Sequence, residues 1–219
     1  MSSLNSLEQM ILDGMLGRRP DLETCSQELA QTLEALVKCY DGGGTLFTCG
    51  NGGSYADAMH IVGELVKSFE RRRTLSSEFM AALAPLPYGG DLAQHLEAGL
   101  PAITLGLNSA LKTAVENDSP VRDIAFAQEL NVMMRPGDVL LAISTSGSAA
   151  NCRMALSVAK AKGGTSIAFT GPKGGAMAEF ADIVLKTPGD STKVVQEAHA
   201  VLWHTLCCLI EAHYFPELR

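Results

Sequence analysis

Twice along this chain a short apolar run, too brief for a helix, passes through a turn of glycine and small hydroxyl residues into a helical pattern. That repeated unit restricts the fold more than any other feature. The first copy runs from Thr45-Leu46-Phe47-Thr48-Cys49 through Gly50-Asn51-Gly52-Gly53-Ser54 into a helical pattern from Tyr55 to about Glu70. The second runs from Asp138-Val139-Leu140-Leu141-Ala142-Ile143 through Ser144-Thr145-Ser146-Gly147-Ser148 into a helix from about Ala149 to Lys162. Strand followed by helix, twice, implies parallel strands covered by helices, because a parallel pair needs a crossover connection.

Further strands are expected at Ala102–Leu107, Thr165–Thr170 and Ile183–Lys186, and helices at Ser119–Met134 and Val194–His213. Helical spacing also marks Ser6–Leu16 and Pro20–Tyr40, the latter ending in Asp41-Gly42-Gly43-Gly44. The fold class expected is α/β: a three-layer αβα sandwich with a mainly parallel, doubly wound sheet. One domain spans residues 1–219, with a helical N-terminal extension over 1–41 and an insertion over 74–100. That last segment is the least regular, carrying Pro85, Pro87, Gly89 and Gly90 before a short helix at Asp91–Glu97.

Composition narrows the partners. Seventeen basic against 24 acidic residues give a net charge of −7, which argues against a phosphate-backbone ligand. With 47% apolar residues the chain can bury a core and is not disordered. No run approaches eighteen apolar residues, and residues 1–16 lack a signal-peptide pattern, so a cytoplasmic protein without a membrane span is expected. Cys25, Cys39, Cys49, Cys152, Cys207 and Cys208 lack zinc-ribbon or disulfide-scaffold spacing and read as reduced, buried thiols.

Both strand-to-helix turns set small side chains and backbone N–H groups at a helix N-terminus, where the macrodipole favours an anion. Helix capping is the competing role for either turn alone, but their recurrence shifts the balance toward phosphate. No Walker lysine or dinucleotide fingerprint accompanies them, so a small phosphorylated metabolite fits better than a nucleotide. Glu64 follows His60 by four residues on one helical face. Gln196 and His204 are eight apart, about 80° around a helix, and Glu197 is nearer still to the azimuth of His204, so spacing does not choose between Gln196 and Glu197.

The Gly50-Asn51-Gly52-Gly53-Ser54 turn, Asp57-Ala58-Met59-His60, Glu64, Ser144-Thr145-Ser146-Gly147, Gln196-Glu197, His199 and His204 together resemble the sugar isomerase (SIS) domain family. Within it the resemblance is to the phosphoheptose isomerase branch. It implies aldose–ketose isomerisation of sedoheptulose 7-phosphate through an enediol, by a homotetramer with sites between subunits. It also implies zinc held by His60, Glu64, Gln196 and His204, and so selects Gln196 over Glu197, with Glu64 as base and His204 as the opposing acid or base. The substrate-binding residues implied are Asn51, Gly52, Gly53, Ser54, Asp118, Ser144, Thr145, Ser146 and Gln196. His95, His199 and His213 stay outside the site.

Three departures accompany the resemblance. The second turn reads Ser146-Gly147-Ser148-Ala149 where Ser-Gly-Asn-Ser is usual, making Ser148 the substitute hydroxyl; Lys193 stands where an acidic residue is expected; and residues 74–100 exceed the usual length. These favour, as an alternative, an isomerase of another sugar phosphate. The ending Phe215-Pro216 resembles a non-catalytic relative that binds a replication initiator, a second alternative.

Overall fold

The computed structural model describes residues 4–217. After helix α1 (Ser6–Arg18) come a 3-10 turn at Pro20–Cys25 and α2 (Ser26–Asp41). The chain then runs through β1 (Leu46–Gly50), α3 (Gly53–Val66), α4 (Ser77–Leu83), α5 (Gly89–His95), β2 (Ala102–Thr104), α6 (Ser109–Asp118) and α7 (Ala125–Met133). It ends with β3 (Val139–Ser144), α8 (Ala150–Ala161), β4 (Thr165–Thr170), a 3-10 turn at Ala176–Glu179, β5 (Ile183–Lys186) and α9 (Thr192–Tyr214).

The five strands form one parallel sheet in the order β2-β1-β3-β4-β5. Alternation along the strands splits the core in two. Val139, Leu141 and Ile143 of β3 face a cluster with α1, α2, α3 and α9, while Leu140 and Ala142 face α7 and α8. This is the expected αβα sandwich. Chain order reverses between β1 and β3, which are neighbours in register from Leu46↔Val139 to Gly50↔Ile143. Ligands in such sheets bind beyond the carboxyl ends of the strands at that reversal, where both glycine–hydroxyl turns lie.

Several elements differ from expectation, each for a local reason. The helical reading of Pro20–Tyr40 divides, because Pro20 opens a tighter 3-10 turn before α2. The reading of Ser119–Met134 as helix gives way to α7 alone: the Glu116 carboxylate accepts from the backbone N–H groups of Asp123 and Ala125, turning the chain just before α7, with Asp123 at φ +64°. Periodicity does not reveal α6, which has no buried residue; the Asn108 side chain caps its start by accepting from Leu111 N–H. Strand β2 stops at Thr104 rather than Leu107, and α3 ends at Val66 rather than near Glu70.

Residues 74–100 contain α4 and α5, which pack so closely that a Cβ on Gly89 would overlap the Leu83 carbonyl. The end of the segment is anchored beside α3. Ala98 N–H donates to Arg73 O and Leu100 N–H to Leu65 O, while Glu97 accepts from the Ser68 hydroxyl and backbone N–H.

Candidate active site

At the carboxyl end of β1 the turn needs glycine for two different reasons. A Cβ on Gly50 would lie 2.6 Å from the Ser54 carbonyl oxygen, and Gly52 sits at φ +56°. Gly53 then opens α3 against the Gln196 amide, where a Cβ would overlap it, and Ser54 is buried one residue further on. The second turn follows the same design. Gly147 adopts φ +64° against the Gly174 carbonyl, Ser144 Oγ and Ser146 Oγ lie 3.4 Å apart, and Ser148 N–H donates to Ser146 Oγ at 3.2 Å.

Neither α3 nor α8 has its N-cap side chain bonded to the first turn, and although Asn151 Oδ1 accepts from the Cys152 N–H, the N–H groups ahead of it in α8 and those opening α3 can face an incoming anion. Reciprocal amide hydrogen bonds between Asn51 and Asn151, at 2.9 and 2.8 Å, tie the first turn to the start of α8, just beyond the second turn. Thr145 and Ser146 border a cavity of about 390 Å³ with Gly171, Lys173, Asp190 and Thr192.

The second group of candidate residues lies where α3 packs on α9. Contacts advance in the same sense along both helices: Gly53 meets Gln196, and His60 meets His204 with ring centroids 5.3 Å apart. His60 Nε2 is 2.9 Å from Glu64 Oε1. Glu64 is only 9% exposed; its Oε2 has no hydrogen bond and lies 3.7 Å from Lys67 Nζ. His204 donates from Nδ1 to the Ala200 carbonyl at 2.7 Å, which leaves Nε2 open. Its ring stacks on Trp203 and lies beside Phe69. Between the helix that carries His60 and the helix that carries His204, burial pushes the Asp57 carboxyl above the usual carboxylate range, opposed by Trp203, Gln196 and the two neighbouring imidazoles.

The donor set suits a divalent ion in kind: two imidazoles, a carboxylate and an amide, with Glu64 Oε2 and His204 Nε2 uncommitted. Among the described residues no three His, Cys, Asp or Glu groups converge on one point at metal-binding distance. The side chains that would hold the ion are thus neighbours on two packed helices, with His60 and Glu64 bonded to each other.

Packing distinguishes what spacing left open. Gln196 lies against α3, whereas Glu197 is exposed. Asp118 lies at the exposed end of α6, where it accepts from the Asn117 side-chain amide. Ser148 and Lys193 are exposed. His199 is fully buried and bonded to the Thr170 carbonyl, and His213 is held by Glu8 at 2.8 Å rather than lying on a frayed terminus. Sequence reasoning missed Asn151, Trp203 and Phe69. Asn51 and Asn151 are a hundred residues apart, and no local pattern signals their pairing.

The sequence profile of the SIS domain matches residues 19–85 and 117–206. The chain is 37% identical over 202 residues to a phosphoheptose isomerase of Geotalea daltonii, covering 90% of this chain and 92% of that protein. It is 34% identical over 200 residues to a phosphoheptose isomerase of Roseiflexus sp., covering 91% and 89%. The solved structure of a phosphoheptose isomerase from Francisella tularensis superimposes with a TM-score of 0.71 at 29% identity, covering 96% of this chain and 98% of that one. With its reversal-point turns and its α3–α9 pairing, the chain belongs to the SIS domain family, in the phosphoheptose isomerase branch.

Proposed function

We propose that the chain interconverts sedoheptulose 7-phosphate and D-glycero-D-manno-heptose 7-phosphate. The observation that carries this reading is the juxtaposition of His60 and Glu64 with His204, beside two helix N-termini open to a phosphate, in a chain 37% identical to a phosphoheptose isomerase. Phosphate binding falls to Ser54 and to Ser144, Thr145, Ser146 and Ser148, with Asn51, Gly52, Gly53, Asp118 and Gln196 toward the sugar.

The Glu64 carboxylate removes a C1 proton from the ketose while His204 protonates O2, giving the enediol. O1 then returns a proton to His204, the C1 carbonyl forms, and Glu64 delivers its proton to C2. Each proton removed is returned, so the step is a net isomerisation. The Nδ1–H bond to the Ala200 carbonyl keeps His204 Nε2 free for this exchange. Zinc held by His60, Glu64, Gln196 and His204 would take up His204 Nε2, and its positive charge would then stabilise the sugar oxygens in place of that proton exchange.

We read the chain as one SIS unit, 1–219, led by the helices of 1–41 and carrying an insertion at 74–100. A cytoplasmic homotetramer is the assembly proposed. All six cysteines being free thiols supports a reducing compartment. A cavity of about 600 Å³ between α1 and α9, which His204 borders with Leu7, Met10, Ile11 and Phe69, supports completion of the site by another subunit.

The test is turnover of sedoheptulose 7-phosphate by zinc-loaded and chelated protein, with the aldoheptose product followed by NMR. Glu64→Gln is expected to lower kcat by about 10²- to 10⁴-fold with thermal unfolding little changed. No product from folded, zinc-loaded wild-type protein would overturn the reading.

A further inference from the structure

Helix α3 does not end for a local reason. Neither glycine nor proline follows Val66, and the helical pattern continues in sequence to about Glu70. What replaces the last turn is a fully buried ion pair, Arg73 Nε to Glu211 Oε1 at 2.8 Å. In a continued helix Phe69 N–H would bond the Leu65 carbonyl. Instead Glu211 accepts from the N–H groups of Phe69, Glu70 and Arg71 at 2.8, 2.8 and 3.1 Å. Arg73 meanwhile donates to the carbonyls of Leu65 and Glu64 at 2.6 and 2.8 Å. The pair thus takes up most of the hydrogen bonding that the missing turn would have used, on both the N–H and the carbonyl side, while Glu97 takes the Ser68 N–H.

Those partners connect directly to the site. The carbonyl that Arg73 Nη2 holds belongs to Glu64 itself. The backbone that Glu211 holds presents the Phe69 ring to His204, with centroids 5.9 Å apart and planes at 28°. Glu211 lies on α9 with His204, so the same pair locks the end of α3 to the helix that carries the second proton-transfer group.

We propose that Arg73 and Glu211 are positioning residues, which set the separation of Glu64 from His204 by terminating α3 and seating Phe69 against the imidazole. The proposal rests on the isomerase reading. Stability alone is a weak explanation for a buried ion pair, since desolvation offsets much of its attraction, whereas fixing one geometry suits it.

The test compares Arg73→Lys, Arg73→Met and Glu211→Gln with Asp138→Asn, measuring kcat and KM for sedoheptulose 7-phosphate per folded protein, with melting recorded alongside. Asp138 accepts from Thr45 and Arg135 N–H at the opposite end of the sheet and serves as the stability control. Misplacing a reacting group by about 1 Å can cost about 100-fold. Arg73→Met and Glu211→Gln are therefore expected to lose about that factor in kcat with KM within about threefold. Arg73→Lys, which keeps the charge and part of the hydrogen bonding, should recover at least about tenfold. Asp138→Asn should melt earlier at unchanged kcat.

Unchanged kcat in the folded variants, a loss confined to KM, or a kcat loss in Asp138→Asn matching that of Arg73→Met would overturn the proposal. If Arg73→Met does not fold, the same split in Arg73→Lys and Glu211→Gln decides. An inactive, folded wild-type protein overturns the isomerase reading and this proposal with it; an active wild type with unaffected variants overturns this proposal alone.

Discussion

Buried beneath the second turn, His199 shows how a titratable side chain near a site can be wholly structural. Its Nε2–H donates to the Thr170 carbonyl at 3.1 Å, its ring lies beside Phe169, and burial lowers its pKa from 6.5 to about 4. Five residues separate it from His204, about 140° around α9, so one imidazole faces the sheet and the other faces α3. Above pH 6.5 both folded and unfolded chains carry it neutral. As pH falls from 6.5 toward 4, the unfolded chain takes up the proton first, and stability drops by up to about 3 kcal/mol. Denaturant titrations across this range are expected to show that loss, and His199→Gln, which keeps a donor but does not titrate, should flatten it. An equally steep profile in the variant would exclude His199 as the cause. The helical period already implies that His199 and His204 face apart; that His199 meets a carbonyl from β4 does not follow from any local pattern.

Among the elements, the start of α3 separates a structural glycine from a functional one. A Cβ at Gly50 would press on the backbone carbonyl of Ser54, which cannot move without the turn, whereas at Gly53 it would meet only the end of the Gln196 side chain. Gly50→Ala is expected to destabilise by about 1–3 kcal/mol in denaturant unfolding. Gly53→Ala should leave stability nearly unchanged while reducing kcat/KM by at least about tenfold through displacement of Gln196. Equal stability losses in the two variants would refute this assignment. Elements driven by their own pattern were legible: β4 and β5 coincide with the expected Thr165–Thr170 and Ile183–Lys186, because short runs of strand-forming residues bounded by turns end where the strands do. By contrast α6 escapes notice because it has no buried face, and the end of α3 because Arg73 and Glu211 override a continuing helical pattern.

For the whole molecule, the proposed zinc ion and tetramer predict linked behaviour. Zinc at about 100 times its Kd should add about 2.7 kcal/mol to stability, so chelation lowers the melting temperature. His204→Ala should abolish that zinc-dependent shift, and sedimentation equilibrium should give four times the 23.2 kDa chain mass. A melting temperature indifferent to zinc would remove the metal from the account. Among the described residues no helix is long and apolar enough to cross a membrane. By itself the sequence determined the parallel α/β architecture, the two anion-favouring turns and the shared helical face of His60 and Glu64, because strand, turn and helix signals act over a few residues. Only the tertiary structure decided that Asn51 meets Asn151, that Gln196 rather than Glu197 faces α3, and that His204 meets His60. Those contacts depend on which strands become neighbours and how α9 lies on α3, and packing between residues a hundred or more positions apart leaves no periodic trace along the chain.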